Sequence, residues 1–275
     1  SMPFPNNSPK SAIAQKFVKV VPVNGDNILG MTFILPPTKQ YWESKPMVYI
    51  CHTLNYEGKD SLAYILKERS WCNSVACYMD EKSDMVTWMN ISFNLTKEGL
   101  KYVPEIIQMF YRYLDQIKGE GINETVYSDL KKMNQISFDH MEFPEHLDFV
   151  TAVSENVADH EMEYALYAPF YFKELDLKKT MELASMIKPK DAIVSISSKI
   201  YSGKTDQTEK WYGIEYSLEE NITKYSGFQM SNLPIPDMVV IQKNRFIPDN
   251  LSILPNNNNI KYPSRIPTNL GVVYY

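Results

Sequence analysis

Alternation of apolar and polar positions is clearest in "MVTWMNISFNL", residues 85–95, where Met89, Ile91, Phe93 and Leu95 share one face and Asn90, Ser92 and Asn94 the other. A period of two predicts a half-buried antiparallel strand. After Thr96 the period lengthens. Leu100, Val103, Ile106, Ile107, Phe110, Leu114 and Ile117 recur three and four apart, which predicts a helix capped by Thr96 and ended by Gly119. "QKFVKVVPV" and "ILGMTFILP" are β-rich runs joined by "NGDN", whose Asn-Gly predicts a hairpin of two paired strands. The apolar run "KPMVYICHTLNYEGKDSLAYILKER" reads as a helix and its continuation. Further helices are predicted over "NETVYSDLKKMNQISFDH", "HLDFVTAVSENVAD" and "LKKTMELASMI", the last stopping before Pro189, with a strand at "AIVSISSK". Strands, then a run of helices, then a strand again predict an α+β class, a mainly antiparallel sheet carrying a layer of helices.

Composition narrows the function classes. The chain of 275 residues is 44% hydrophobic and 22% charged, ordinary for a globular protein with a sizeable core. A formal net charge of -5 without any dense Lys/Arg run argues against a nucleic-acid or acidic-membrane surface, so neither partner is expected. No stretch approaches the roughly 18 uninterrupted apolar residues of a membrane span. Cys51, Cys72 and Cys77 are odd in number and form no C-x-x-C pair, which predicts free thiols in a reducing compartment and favours a cytoplasmic location. Residues 1–12 read as a tag remnant, from Ser1-Met2, and a loose lead. The Asn- and Pro-rich tail reads as a loose or extended linker.

The candidate chemistry centres on "HTLNYEG". In the zinc motif H-x-x-E-H two imidazoles four apart share a helix face, and the Glu polarises the metal's water. Here that frame holds His52, Asn55 and Tyr56. One imidazole remains; an amide replaces the base, and a phenol with a pKa of about 10 is a poor zinc ligand. His140 and His146 are six apart with Phe143-Pro144 between them, and His160 is followed at the second-ligand position by Tyr164, so neither place predicts a metal. There is no G-x-S-x-G elbow or Walker loop, and Cys77 reads as a buried structural thiol.

Three stretches in order, "YEGKDSLAYILKERSWCNSV" running on to "NLTKEGL", "GKTDQTEKWYGIEY" and "NRFIPDN", resemble the insulin-degrading branch of the pitrilysin-type M16 zinc metallopeptidases. The resemblance runs from about residue 14 to the end and matches the second, catalytically inactive domain of such enzymes. It implies a sandwich of a mainly antiparallel sheet with helices on one face, an inactive domain over 13–242 and an interdomain linker over 243–275. It also implies that His52, Asn55 and Tyr56 occupy an eroded zinc helix, with no cofactor in this fragment and zinc on another domain of the parent enzyme.

The resemblance further implies a peptide-binding exosite, at which a substrate's extended end adds to a sheet edge and takes its unpaired N–H and C=O groups. Here the edge falls on Val75, Ala76, Cys77, Tyr78 and Met79, with Gly58 nearby. Cys77 and Tyr78 replace close-approach glycines, which narrows the groove and leaves an ordinary edge strand as the plain alternative. The polyanion-binding arginines of the insulin-degrading branch are replaced by Phe143, Pro144 and Glu145, so nucleotide regulation is not carried over. Trp211, Tyr212 and Tyr216 read as a satellite core around Gly213. The implied function is a non-catalytic domain that forms chamber wall and exosite, with peptide substrates and the other domains of the same polypeptide as partners. The alternative is a free-standing inactive scaffold subunit of a two-chain processing peptidase.

Overall fold

A computed structural model of the chain describes residues 16–83, 85–142, 144–219, 234–252, 263 and 265–274. The lead over 1–12, Phe143 and the Asn run of the tail lie outside the described residues. Two compact units are found, Ser1–Asn244 and Arg245–Tyr275.

In the first unit the strands are β1 (Phe17–Val20), β2 (Asn27–Leu35), β3 (Cys72–Ser83), β4 (Val86–Leu95), β5 (Ala192–Ser197), β6 (Gln207–Thr208) and β7 (Glu215–Glu219). They form one sheet in the order β3-β4-β2-β5-β1-β7-β6. Every pairing is antiparallel except β1 with β5. The alternation along β4 is realised: Met89, Ile91, Phe93 and Leu95 are buried while Asn90, Ser92 and Asn94 are half-buried on the opposite face. There Thr32 on β2 donates to the Asn90 Oδ1 at 2.8 Å.

The predicted β1–β2 hairpin is not formed. β5 lies between the two strands, with Met31 opposite Val194 on one side and Phe17 opposite Val194 on the other. The Asn-Gly turn reverses the chain, but Ala192, Val194 and Ile196 are all buried, and their burial is greatest with β5 at the centre of the sheet.

The helices are α1 (Pro46–Leu54), α2 (Leu62–Glu68), α3 (Val103–Glu120), α4 (Glu124–Asp139), α5 (His146–Asp159) and α6 (Leu177–Ser185). The apolar run expected to be one helix and its continuation is two helices broken by residues 55–61. Asn55 caps α1 through its N–H to the Cys51 carbonyl, Asp60 takes a left-handed φ of 64°, and Ser61 starts α2 by accepting from the Tyr64 N–H. Thr96 does not cap α3 either. Its hydroxyl accepts from the Gly99 N–H, closing a short turn, and α3 starts afterwards with Pro104 in its first turn. The stop comes at Gly121, with a φ of 77°, rather than at Gly119, which stays helical.

Gly99 sits against the start of β3. A Cβ there would stand 1.8 Å from the Trp71 carbonyl oxygen, which already accepts from the Thr96 N–H. The core joins the inner sheet face to α1, α2, α3 and part of α4, with Tyr49, Tyr113, Phe33, Phe93 and Phe110 among its largest members. α5 buries no residue of its own; Leu147 and Val150 are exposed. In the second unit β8 (Arg265–Thr268) and β9 (Gly271–Tyr274) form a hairpin. Among the described residues no helix is long and apolar enough to cross a membrane.

Candidate functional site

Among the described residues β3 is the outermost strand of the sheet and pairs on one side only, with β4. Antiparallel pairing alternates, so that successive residues turn their N–H and C=O groups towards the partner strand or away from it. Cys77 fixes the phase. It stands opposite Ile91, yet its N–H and C=O are bonded to a side chain and not to β4. Val75, Cys77 and Met79 therefore present their backbone groups to the open side, and Ala76 and Tyr78 give theirs to the ladder. Side chains follow the same alternation. Val75 and Cys77 are buried and Met79 packs on the core, whereas Ala76 and Tyr78 face outward, Tyr78 being 53% exposed.

The side chain bonded to Cys77 is Asn55. Its Oδ1 accepts from the Cys77 N–H at 2.5 Å and its Nδ2 donates to the Cys77 carbonyl at 3.0 Å. Tyr56 lies past the end of α1 and folds over Gly58, so that a Cβ on Gly58 would meet the phenol oxygen at 2.0 Å. His52 stays in the last turn of α1, half-buried; desolvation lowers its pKa and the charge of Asp129 opposes that shift.

These three residues do not converge. The four-residue spacing puts two side chains on one face only while the helix continues, and α1 stops at Leu54. With the Asn55 amide committed to Cys77 and the phenol to Gly58, the positions do not fit a zinc ion. No group of three or more His, Cys, Asp or Glu suited to a metal is found among the described residues.

The expectation of three free thiols is overturned. Cys51 and Cys77 form a disulfide, with Cα atoms 5.0 Å apart and a separation of 26 positions in sequence, so Cys77 is not a structural thiol. Packing of α1 on β3 makes the pair, and a search for short C-x-x-C spacing is blind to it. Cys72 remains a free, buried thiol, pushed up to about 11 by desolvation.

The aromatic cluster is also corrected. Trp211 and Tyr212 are 78% and 83% exposed, on a turn held by the Glu209 carboxylate, which accepts from both their N–H groups. Gly213 adopts a φ of 66° there. His140 caps α4, His146 begins α5, and the His160 ring lies tilted against Trp42 with centroids 4.7 Å apart.

Beyond Met79 the edge runs into a cavity of about 300 Å³ lined in part by Trp42, Lys45, Glu81 and His160. The Lys45 ammonium donates to the Ala168 carbonyl at 2.8 Å, and burial pushes its pKa down to about 8 against the pull of Glu81. An unfolded lysine keeps its proton up to about pH 10.4, so between roughly pH 8 and 10 the unfolded chain binds more protons and stability rises with pH. Folding stability carried by this group is therefore lost as pH falls through 8. The urea midpoint of the native chain should climb relative to that of Lys45→Met across this window, and a flat difference would mean that the amine is solvated.

Residues 2–134 match the family model described as the peptidase M16 inactive domain, and residues 138–275 match the middle or third domain of peptidase M16. The chain is 28% identical over 257 residues to human insulin-degrading enzyme, covering 92% of this chain and 25% of that protein. It is 26% identical over 258 residues to an Arabidopsis thaliana nardilysin-like protein, covering 92% and 25%. Among solved structures it superposes on pitrilysin with a TM-score of 0.82 at 18% identity, over 93% of this chain and 27% of that one. The chain thus spans about a quarter of the length of the curated relatives it matches.

Proposed function

Because the chain belongs to the peptidase M16 family and carries its inactive domain, we propose that it forms a non-catalytic wall of a peptidase chamber and holds extended peptides along the β3 edge. One observation carries this reading: the open side of β3, where Val75, Cys77 and Met79 turn backbone donors and acceptors away from the ladder. An extended segment laid there would gain main-chain hydrogen bonds with little side-chain demand. Ala76 and Tyr78 would flank it, with Gly58, in the segment after α1, as a further contact.

In this reading residues 13–242 are the inactive domain and 243–275 join it to further domains of the same polypeptide. Catalytic zinc belongs to one of those domains. No hydrolytic step is assigned to residues of this chain.

A dye-labelled unstructured peptide should bind the chain weakly, in the micromolar to millimolar range expected of one added strand. Met79→Pro removes one outward N–H from an edge position, where proline is tolerated, and should weaken binding several-fold with the circular dichroism unchanged. Unaltered affinity in that variant would reduce β3 to an ordinary edge.

A further inference from the structure

The open edge of β3 is already taken at its middle rung. Asn55 presents a carboxamide whose oxygen and nitrogen face the N–H and C=O of Cys77 at 2.5 and 3.0 Å. Those are the two contacts that the facing residue of an added antiparallel strand would make with Cys77. An incoming peptide cannot use Cys77 while the amide is in place.

A covalent link holds the end of α1 there. Cys51 stands one helical turn before Asn55 and is bonded to the same residue, Cys77, so the end of α1 cannot drift along the strand. Tyr56, next in sequence, lays its phenol on Gly58 and fills the space a glycine leaves for close approach. Of the two residues that depart from the zinc motif, Asn55 has thus turned to the strand, while Tyr56 packs over Gly58 and against the core.

We propose that Asn55 is a latch on the peptide-binding edge: a side-chain amide that imitates the N–H and C=O of one facing residue, competes with substrate for Cys77 and sets how tightly the edge binds. The proposal rests on the strand-addition reading given above. It identifies the ligand the edge is built for as an extended main chain, since the group occupying it is itself an amide. Binding of a peptide across Val75 to Met79 requires the Asn55 side chain to swing out, which costs two hydrogen bonds before any are gained.

Removing the latch should therefore strengthen binding. With the 275-residue chain and the dye-labelled unstructured peptide, Asn55→Ala should tighten binding by roughly tenfold or more, the equivalent of two competing neutral hydrogen bonds. Adding Met79→Pro to Asn55→Ala should take back most of that gain, which ties the gain to the edge. Asn55→Ser, whose hydroxyl can reach only one of the two Cys77 groups, should fall between the native chain and Asn55→Ala. It serves as the test if the alanine variant does not fold.

Equal affinity in the native chain and in both Asn55 variants, with Met79→Pro still weakening binding, would overturn the latch and leave the edge reading standing. If Met79→Pro changes nothing in any background, the edge reading falls and the latch falls with it.

Discussion

Gly99→Ala should cost the chain about 3 kcal/mol or more of folding stability, or prevent folding outright. The added Cβ would stand 1.8 Å from the Trp71 carbonyl oxygen and 2.8 Å from its carbon, and both are backbone atoms that no rotamer change can move. Trp71 is itself fixed. It is buried, its ring stacks on Tyr102 at 4.4 Å, and its carbonyl accepts the Thr96 N–H. Relief would have to come from displacing the junction of α2 with β3, which begins the candidate edge. Urea unfolding of Gly99→Ala beside Gly119→Ala measures this directly. Gly119 is helical with nothing within 4 Å of its added Cβ, so alanine there should be neutral or stabilise by up to about 1 kcal/mol. Matching midpoints for the two variants would show that the Thr96–Gly99 turn can lift off Trp71 at no cost.

In a complete peptidase built around this domain, blocking the β3 edge should lower kcat/KM for long peptides by about a hundredfold and leave short ones near the native value. Holding a substrate end far from the scissile bond converts binding energy into orientation, and a displacement of about 1 Å at the reacting atoms can cost roughly 10²-fold. The block can be introduced by proline at both Val75 and Met79, the two outward positions that Asn55 leaves open. Short peptides never reach the edge and supply the internal control. An equal loss for both lengths would assign the domain to shaping the chamber alone, without a grip on substrate.

The sheet's central pattern was legible in the sequence because it is local. The alternation from Met89 to Leu95 needs only its own strand to be read, and the residues on the buried face pack against the helices. Long-range partners were not. β5 separates β1 from β2 although the Asn-Gly turn between them is a sound hairpin signal, since partners as far apart in sequence as Phe17 and Val194, or Phe33 and Ala192, leave no trace in a short window. The same limit explains the site. The order of motifs assigns the zinc frame to His52, Asn55 and Tyr56 and the candidate edge to Val75–Met79, on the expectation of a helix that continues through Asn55 and Tyr56. Once α1 ends at Leu54, the shared face is lost and the side chains are free to find partners 22 residues on. A lone amide at the close of an apolar helical run was the one available hint. Trp211 and Tyr212 failed differently: a motif of turn residues and aromatics fixes a backbone path through Glu209 and Gly213 and says nothing about whether the rings are covered.

The double attachment of α1 to Cys77 bears on how the edge of this sheet breathes. Outermost strands ordinarily open first, as small excursions independent of the rest of the fold. Here the middle of β3 is joined to the last turn of a helix that buries Tyr49, Ile50 and Leu54. For the strand to peel away at that point, the helix end must come with it or the tether must break. The opening of a peripheral strand is thereby coupled to an opening of the interior, and the outermost strand of the sheet behaves at Cys77 as part of the most cooperative region of the molecule.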